Sequence, residues 1–192
     1  MAPSDEAELA NMVLTSSSYS DGPIFCRYPR GEGEGVDIKQ SPDIIEIGKG
    51  RIVRKGKDLA IFALGTRVGV ALKVADNLLA EGRSITVADA RFAKPIDTEL
   101  LEDLWKNHSK LIIIEEGSVG GFSSHCLHFL SSKGVLNNGN KEIRCLTMPD
   151  YFQDHASQNE QLAKAGLDVV GLTNTIKEIL PLSKLSNDMA VK

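Results

Sequence analysis

The stretch DLAIFALGTRVGVALKVADNLLAEGRSITVADA (58–90) decides the fold. Within it, LAIFALG (59–65) is a near-continuous apolar run of strand length, the pattern of a strand covered on both faces. Val68, Ala71, Leu72, Ala75, Leu78 and Leu79 then recur at helical spacing, and Gly82 supplies the left-handed residue that closes a helix. SITVADA (84–90) is a second strand. A strand, helix and strand in such close order predict parallel pairing through a right-handed crossover.

Working outward, the same alternation continues. Residues 96–108 (IDTELLEDLWKNH) predict a second helix, 110–116 (KLIIIEE) a third strand, 122–130 a third helix and 142–148 (EIRCLTM) a fourth strand. Closing helices are predicted over 159–165 and 169–180. Upstream, residues 43–55 (DIIEIGKGRIVRK) read as a hairpin turning at residues 48–50. The expected fold class is α/β, a mostly parallel sheet with helices on both faces, spanning 43–181. Residues 183–192 are polar, and a flexible tail is expected over 182–192. Residues 1–35 are too few for a core of their own: Ser4 or Asp5 caps a helix over 8–13, and Asp21, Gly22 and Pro23 turn the chain into a short strand through Ile24, Phe25 and Cys26. They read as the end of a larger domain or an arm packed on a neighbour. Glycine and proline break both periods from GEGEG (31–35) through Ser41 and Pro42, so residues 36–42 are a linker.

At 192 residues, 42% hydrophobic and 25% charged, the chain can bury a substantial core. The net charge of −4 and the dispersed basic residues give no footprint for nucleic acid and no polybasic membrane patch. No apolar run approaches the roughly 18 residues of a membrane span, and the N-terminus lacks a signal-peptide layout, so a soluble intracellular protein is expected. Cys26, Cys126 and Cys145 are widely spaced among apolar neighbours and read as reduced core thiols.

Chemistry is sparse. In RYPRG (27–31), Arg27 and Arg30 stand three residues apart around a stiffening proline and form a candidate phosphate clamp, because a guanidinium matches anion geometry with a rigid fork of donors. The alternative is that one or both arginines pair with carboxylates at a domain interface. Open α/β sheets bind ligands beyond the carboxyl ends of their strands, here the loops at Gly65 and Thr66, at 90–95 and at 115–121. GSVGGF (117–122) could offer backbone N–H groups to an anion, but it lacks the spacing of a dinucleotide loop and follows Glu115 and Glu116; a tight turn is the competing reading. His125 and His128 share a helix face without a further ligand, His155 lies in a polar loop, and His108 ends a helix whose dipole favours a partly cationic ring. There is no nucleophile elbow and no GxxxxGK[ST] loop.

Six segments in order carry a resemblance: MAPSDEAEL (1–9), DGPIFCRYPRGEGEGV (21–36), IEIGKGRIVRKGKDLAIFALGT (45–66), ADARFAKPID (88–97), IIIEEGSVGGFSSH (112–125), and MPDYFQDHAS (148–157) with AGLD (165–168) after it. Over residues 1–180 the chain strongly resembles the C-terminal part of the 1-deoxy-D-xylulose-5-phosphate synthases, relatives of transketolase and of the beta subunits of 2-oxoacid dehydrogenases. GT, D-x-R-x-x-x-P-x-D and GG are landmarks common to the superfamily; RYPRG and MPD-x-F favour the synthase.

The resemblance implies a parent enzyme that uses thiamine diphosphate and Mg2+ to condense pyruvate with glyceraldehyde 3-phosphate into 1-deoxy-D-xylulose 5-phosphate and CO2, a precursor of isoprenoids and thiamine. It makes 1–35 the end of the pyrimidine-binding domain and 43–181 the transketolase C-terminal domain. It assigns the acceptor's phosphate to Arg27, with Arg30 a weaker, supporting candidate. It places no catalytic, cofactor-binding or metal-binding residue in this piece, which is expected to be inactive alone and to make interdomain and homodimer contacts. The parent is expected in the cytoplasm, or in the plastid of a plastid-bearing eukaryote. The alternatives are a fragment of transketolase or of a 2-oxoacid dehydrogenase beta subunit, and a non-enzymatic docking module.

Overall fold

A computed structural model describes residues 1–137 and 139–181. Five strands, β1 (Arg51–Arg54), β2 (Leu59–Ala63), β3 (Ile85–Asp89), β4 (Lys110–Ser118) and β5 (Glu142–Met148), form one sheet in the order β1-β3-β2-β4-β5. β3, β2, β4 and β5 run parallel, with Leu59 opposite Ile85, Ala60 opposite Leu111 and Lys110 opposite Glu142; β1 closes one edge antiparallel to β3. The connecting helices are α2 (Arg67–Leu79), α3 (Thr98–Asn107), α4 (Phe122–Ser132), α5 (Gln158–Lys164) and α6 (Val169–Ile179). This is the α/β architecture expected from the alternation.

Side chains on a strand point alternately to opposite faces, so each inner strand feeds two cores. Leu59, Ile61, Val87, Ile112 and Ile114 pack on one face against α2 (Val68, Ala71, Val74, Leu78) and α6 (Leu172, Ile176, Ile179). Ala60, Phe62, Ala88, Leu111 and Ile113 pack on the other against α3 (Leu101, Leu104, Trp105) and α4 (Phe122, Cys126, Leu130). Phe62 meets Phe122 with ring centroids 5.2 Å apart. Gly82 adopts φ 78° just after α2, and the N–H groups of Gly82 and Arg83 return to the carbonyls of Leu79 and Leu78, the expected closure.

Ahead of this domain lies α1 (Glu6–Ser18), capped by Asp5, whose carboxylate accepts the Glu8 N–H at 2.8 Å. The helix outruns the expected 8–13 because Thr15, Ser16 and Ser17 turn their hydroxyls back onto carbonyls one turn earlier instead of breaking it. Two expected elements are corrected. Residues 24–26 form no strand: among the described residues the backbone bonds of this stretch run to residue 1, from the Met1 ammonium to the Phe25 carbonyl and from the Arg27 N–H to the Met1 carbonyl. Residues 43–55 form no hairpin. Asp43 and Ile45 instead donate their N–H groups to Asn11 Oδ1 and Thr15 Oγ1 of α1, each at 2.8 Å, and Gly50 donates to Asp97, so the strand is confined to β1.

The cysteines also depart from expectation: Cys126 is buried, but Cys26 and Cys145 are half-buried, since they sit at the margins of their clusters. The segment 182–192 lies outside the described residues. Among the described residues no helix is long and apolar enough to cross a membrane.

Candidate functional site

The carboxyl ends of the parallel strands carry the three loops named above, and the structure uses each differently. The turn after β2 and the end of β4 meet residues 27–29 around a small recess of about 20 Å³, lined by Ala2, Pro3, Arg27, Pro29, Leu64, Gly65, Thr66 and Glu116. Gly65 holds φ 66°, a conformation that glycine adopts without penalty and that turns the chain from β2 into α2. Arg27 is exposed, and among the described residues its guanidinium has no carboxylate partner. Arg30 is exposed too and lies outside this lining, so the two arginines do not converge on the recess.

The carboxylate in that recess is already engaged. Glu116 Oε1 accepts the Thr66 hydroxyl and pairs with Arg67 Nη2 at 2.7 Å. Arg67 is buried at the start of α2; its Nη1 donates to the Leu167 carbonyl at 2.6 Å, and its Nε has no partner among the described residues. The AGLD segment thus supplies a carbonyl anchor for Arg67. Sequence reasoning missed Arg67, which stands in no motif beyond following the GT pair.

The second loop holds the N-terminal arm. Arg91, at φ 57°, forks onto Glu8 with Nε–Oε2 2.8 Å and Nη2–Oε1 3.0 Å, and Arg51 Nη1 reaches the same carboxylate at 3.0 Å. Asp89, fully buried, takes the Arg91 N–H at 3.0 Å and Arg51 Nη2 at 3.3 Å. Burial pushes the Asp89 carboxyl up to about 6, against the opposing pull of the Arg51 guanidinium. Asp97 caps α3 and also accepts the Gly50 N–H at 2.9 Å. Every polar landmark of D-x-R-x-x-x-P-x-D therefore has a structural task. A polar cleft of about 370 Å³ opens beside this cluster, between α1 and residues 36–46.

The third loop is a tight turn. The Glu115 carboxylate swings under GSVGGF and accepts the N–H groups of Phe122 and Ser123 at 3.1 and 2.7 Å, occupying the anion position at the start of α4. Any Cβ at Gly117 would lie 2.2 Å from that carboxylate. His108 is buried, with its ring between the Thr86 hydroxyl at 2.9 Å and the Leu104 carbonyl at 3.0 Å. His125, His128 and His155 are exposed, and among the described residues no three His, Cys, Asp or Glu side chains are grouped to hold a metal. The donor set here does not fit thiamine diphosphate and Mg2+: the glycine turn that could receive a diphosphate is filled by Glu115.

Comparison with known proteins agrees with the fold. Residues 48–172 match the family model of the transketolase C-terminal domain. A solved structure described as a split gene transketolase, an inactive beta4 tetramer, superposes with a TM-score of 0.78 at 29% identity, covering 92% of this chain. The chain spans 56% of that protein's length. From β1 through α6, the sheet order, the two-faced packing and the family match coincide, and the chain belongs to the transketolase C-terminal domain family.

Proposed function

We propose that this chain is the C-terminal part of a thiamine-diphosphate-dependent transferase that condenses pyruvate with glyceraldehyde 3-phosphate, giving 1-deoxy-D-xylulose 5-phosphate and CO2. In this reading its own chemical contribution is capture of the acceptor's phosphate by Arg27. The observation that carries it is an exposed guanidinium with no carboxylate partner among the described residues, at the rim of a recess where an α/β sheet presents its ligand loops. Arg30 assists from the connector. Residues 1–35 complete a pyrimidine-binding domain, 36–42 link it to the domain at 43–181, and the remaining domains hold the cofactor and Mg2+. The residues described here do not catalyse alone. The parent works as a homodimer.

The test is made on the complete enzyme. A charge-assisted hydrogen bond to phosphate is worth about 1.5 to 3 kcal/mol, so Arg27→Ala raises KM for glyceraldehyde 3-phosphate about 10- to 100-fold and leaves KM for pyruvate within about twofold. Equal changes for both substrates would refute the assignment.

A further inference from the structure

The recess that holds Arg27 also holds a carboxylate. Glu116 and Arg27 line the same small cavity, so the carboxylate is the internal anion placed to attract the Arg27 guanidinium. Glu116 is neutralised from behind. Its Oε1 takes both the Thr66 hydroxyl and Arg67 Nη2, and Arg67 is itself fixed by the Leu167 carbonyl. This arrangement leaves the buried Arg67 Nε without a partner among the described residues, an unfavourable feature that packing alone does not require.

Resting on the phosphate reading of Arg27, we propose that Arg67 is a positioning residue for anion capture. By holding Glu116, it keeps the Arg27 guanidinium open to the phosphate of an acceptor aldehyde. Arg67 touches no ligand in this scheme; it acts through Glu116. Without it, Glu116 turns to Arg27 and competes with the phosphate as an internal anion. The same logic assigns Thr66 as the second donor that detains Glu116.

Kinetics of the complete enzyme with glyceraldehyde 3-phosphate and with unphosphorylated D-glyceraldehyde separate the possibilities. Arg67→Gln is expected to raise KM for the phosphorylated acceptor about tenfold, with kcat and the KM for D-glyceraldehyde within about twofold. Adding Glu116→Gln to that variant restores the KM, because the competing charge is gone. A loss shared by both acceptors, or one that Glu116→Gln does not restore, overturns the inference, since a packing defect behaves that way. Should Arg67→Gln fail to fold, Thr66→Val keeps the buried guanidinium and removes one donor to Glu116; it is expected to give a selective rise of about threefold, and no selective rise overturns the inference. Arg27→Ala distinguishes the two levels of argument. If it has no phosphate-selective effect, both readings fall; if it has one and Arg67→Gln does not, the phosphate reading stands and the role of Arg67 falls.

Discussion

In the α/β domain, Leu59, Ile61, Phe62, Ile112 and Ile113 are all fully buried, and helices cover both faces of the sheet. In the arm, α1 buries only Glu8, Met12 and Thr15, and its apolar anchorage is a cluster of Met12, Ile45 and Phe92. What the arm has in place of a core is directional bonding: Glu8 to Arg51 and Arg91, Ile45 N–H to Thr15, and the Glu6 carboxylate cradled by the backbone N–H groups of Glu34, Gly35 and Val36. Apolar burial is non-directional and supplies most of the stability, whereas hydrogen bonds to charged groups contribute less but fix register. The domain is thus built for strength and the arm for placement.

Three measurements press on that contrast. The largest effect belongs to the domain: Phe62→Ala removes a buried ring that contacts Phe122 and is expected to cost about 3 to 5 kcal/mol in urea unfolding. A loss below about 1 kcal/mol would mean that the two-faced core is not the main support.

Asp89 lies where the two regions meet and gives the next effect. Its folded value of about 6 stands above the unfolded value of about 3.9, so the native state takes up a proton that the unfolded chain does not. Its contribution to stability is present below about pH 4 and is lost as the pH rises through about 6, by up to about 3 kcal/mol. Asp89→Asn removes this slope from the variant's profile, so the difference between the two stability profiles carries it. Parallel profiles for the two proteins would show that Asp89 is ionised at no cost.

The smallest effect is local. Glu8→Ala is expected to lower the protection of the Met12 and Ile45 amides in hydrogen exchange by about 2 kcal/mol while that of Phe62 and Ile113 stays as it was. Equal losses in both sets would make the arm and the domain one cooperative unit.

The domain was readable because its information is local. LAIFA is apolar throughout and its five residues are all buried, and the helical spacing from Val68 onward gives α2 directly. Residues 43–50 were not readable, because the groups that shape them, Asn11, Thr15 and Asp97, stand 32, 30 and 47 positions away for the bonds of Asp43, Ile45 and Gly50. Alternating apolar residues around two glycines look like a hairpin when those partners are out of view. At the candidate site, Arg27 stood out through its neighbours in RYPRG, and the glycines of GSVGGF did mark a tight turn. That Glu115 faces the loop while Glu116 faces Arg67 follows from strand alternation, but which of the two would meet a cation required the fold to bring Arg67 beside it.

At the far edge of the sheet, β5 has a strand neighbour on one side only among the described residues. An open edge with Ile143, Cys145 and Leu146 is a template on which a foreign strand could grow into an aggregate. Glu142 and Arg144, paired at 2.6 Å and joined by Lys110, set charges along that border. An incoming strand would have to seat its own side chains beside these charges, a cost that disfavours pairing at this margin without adding a residue to the core.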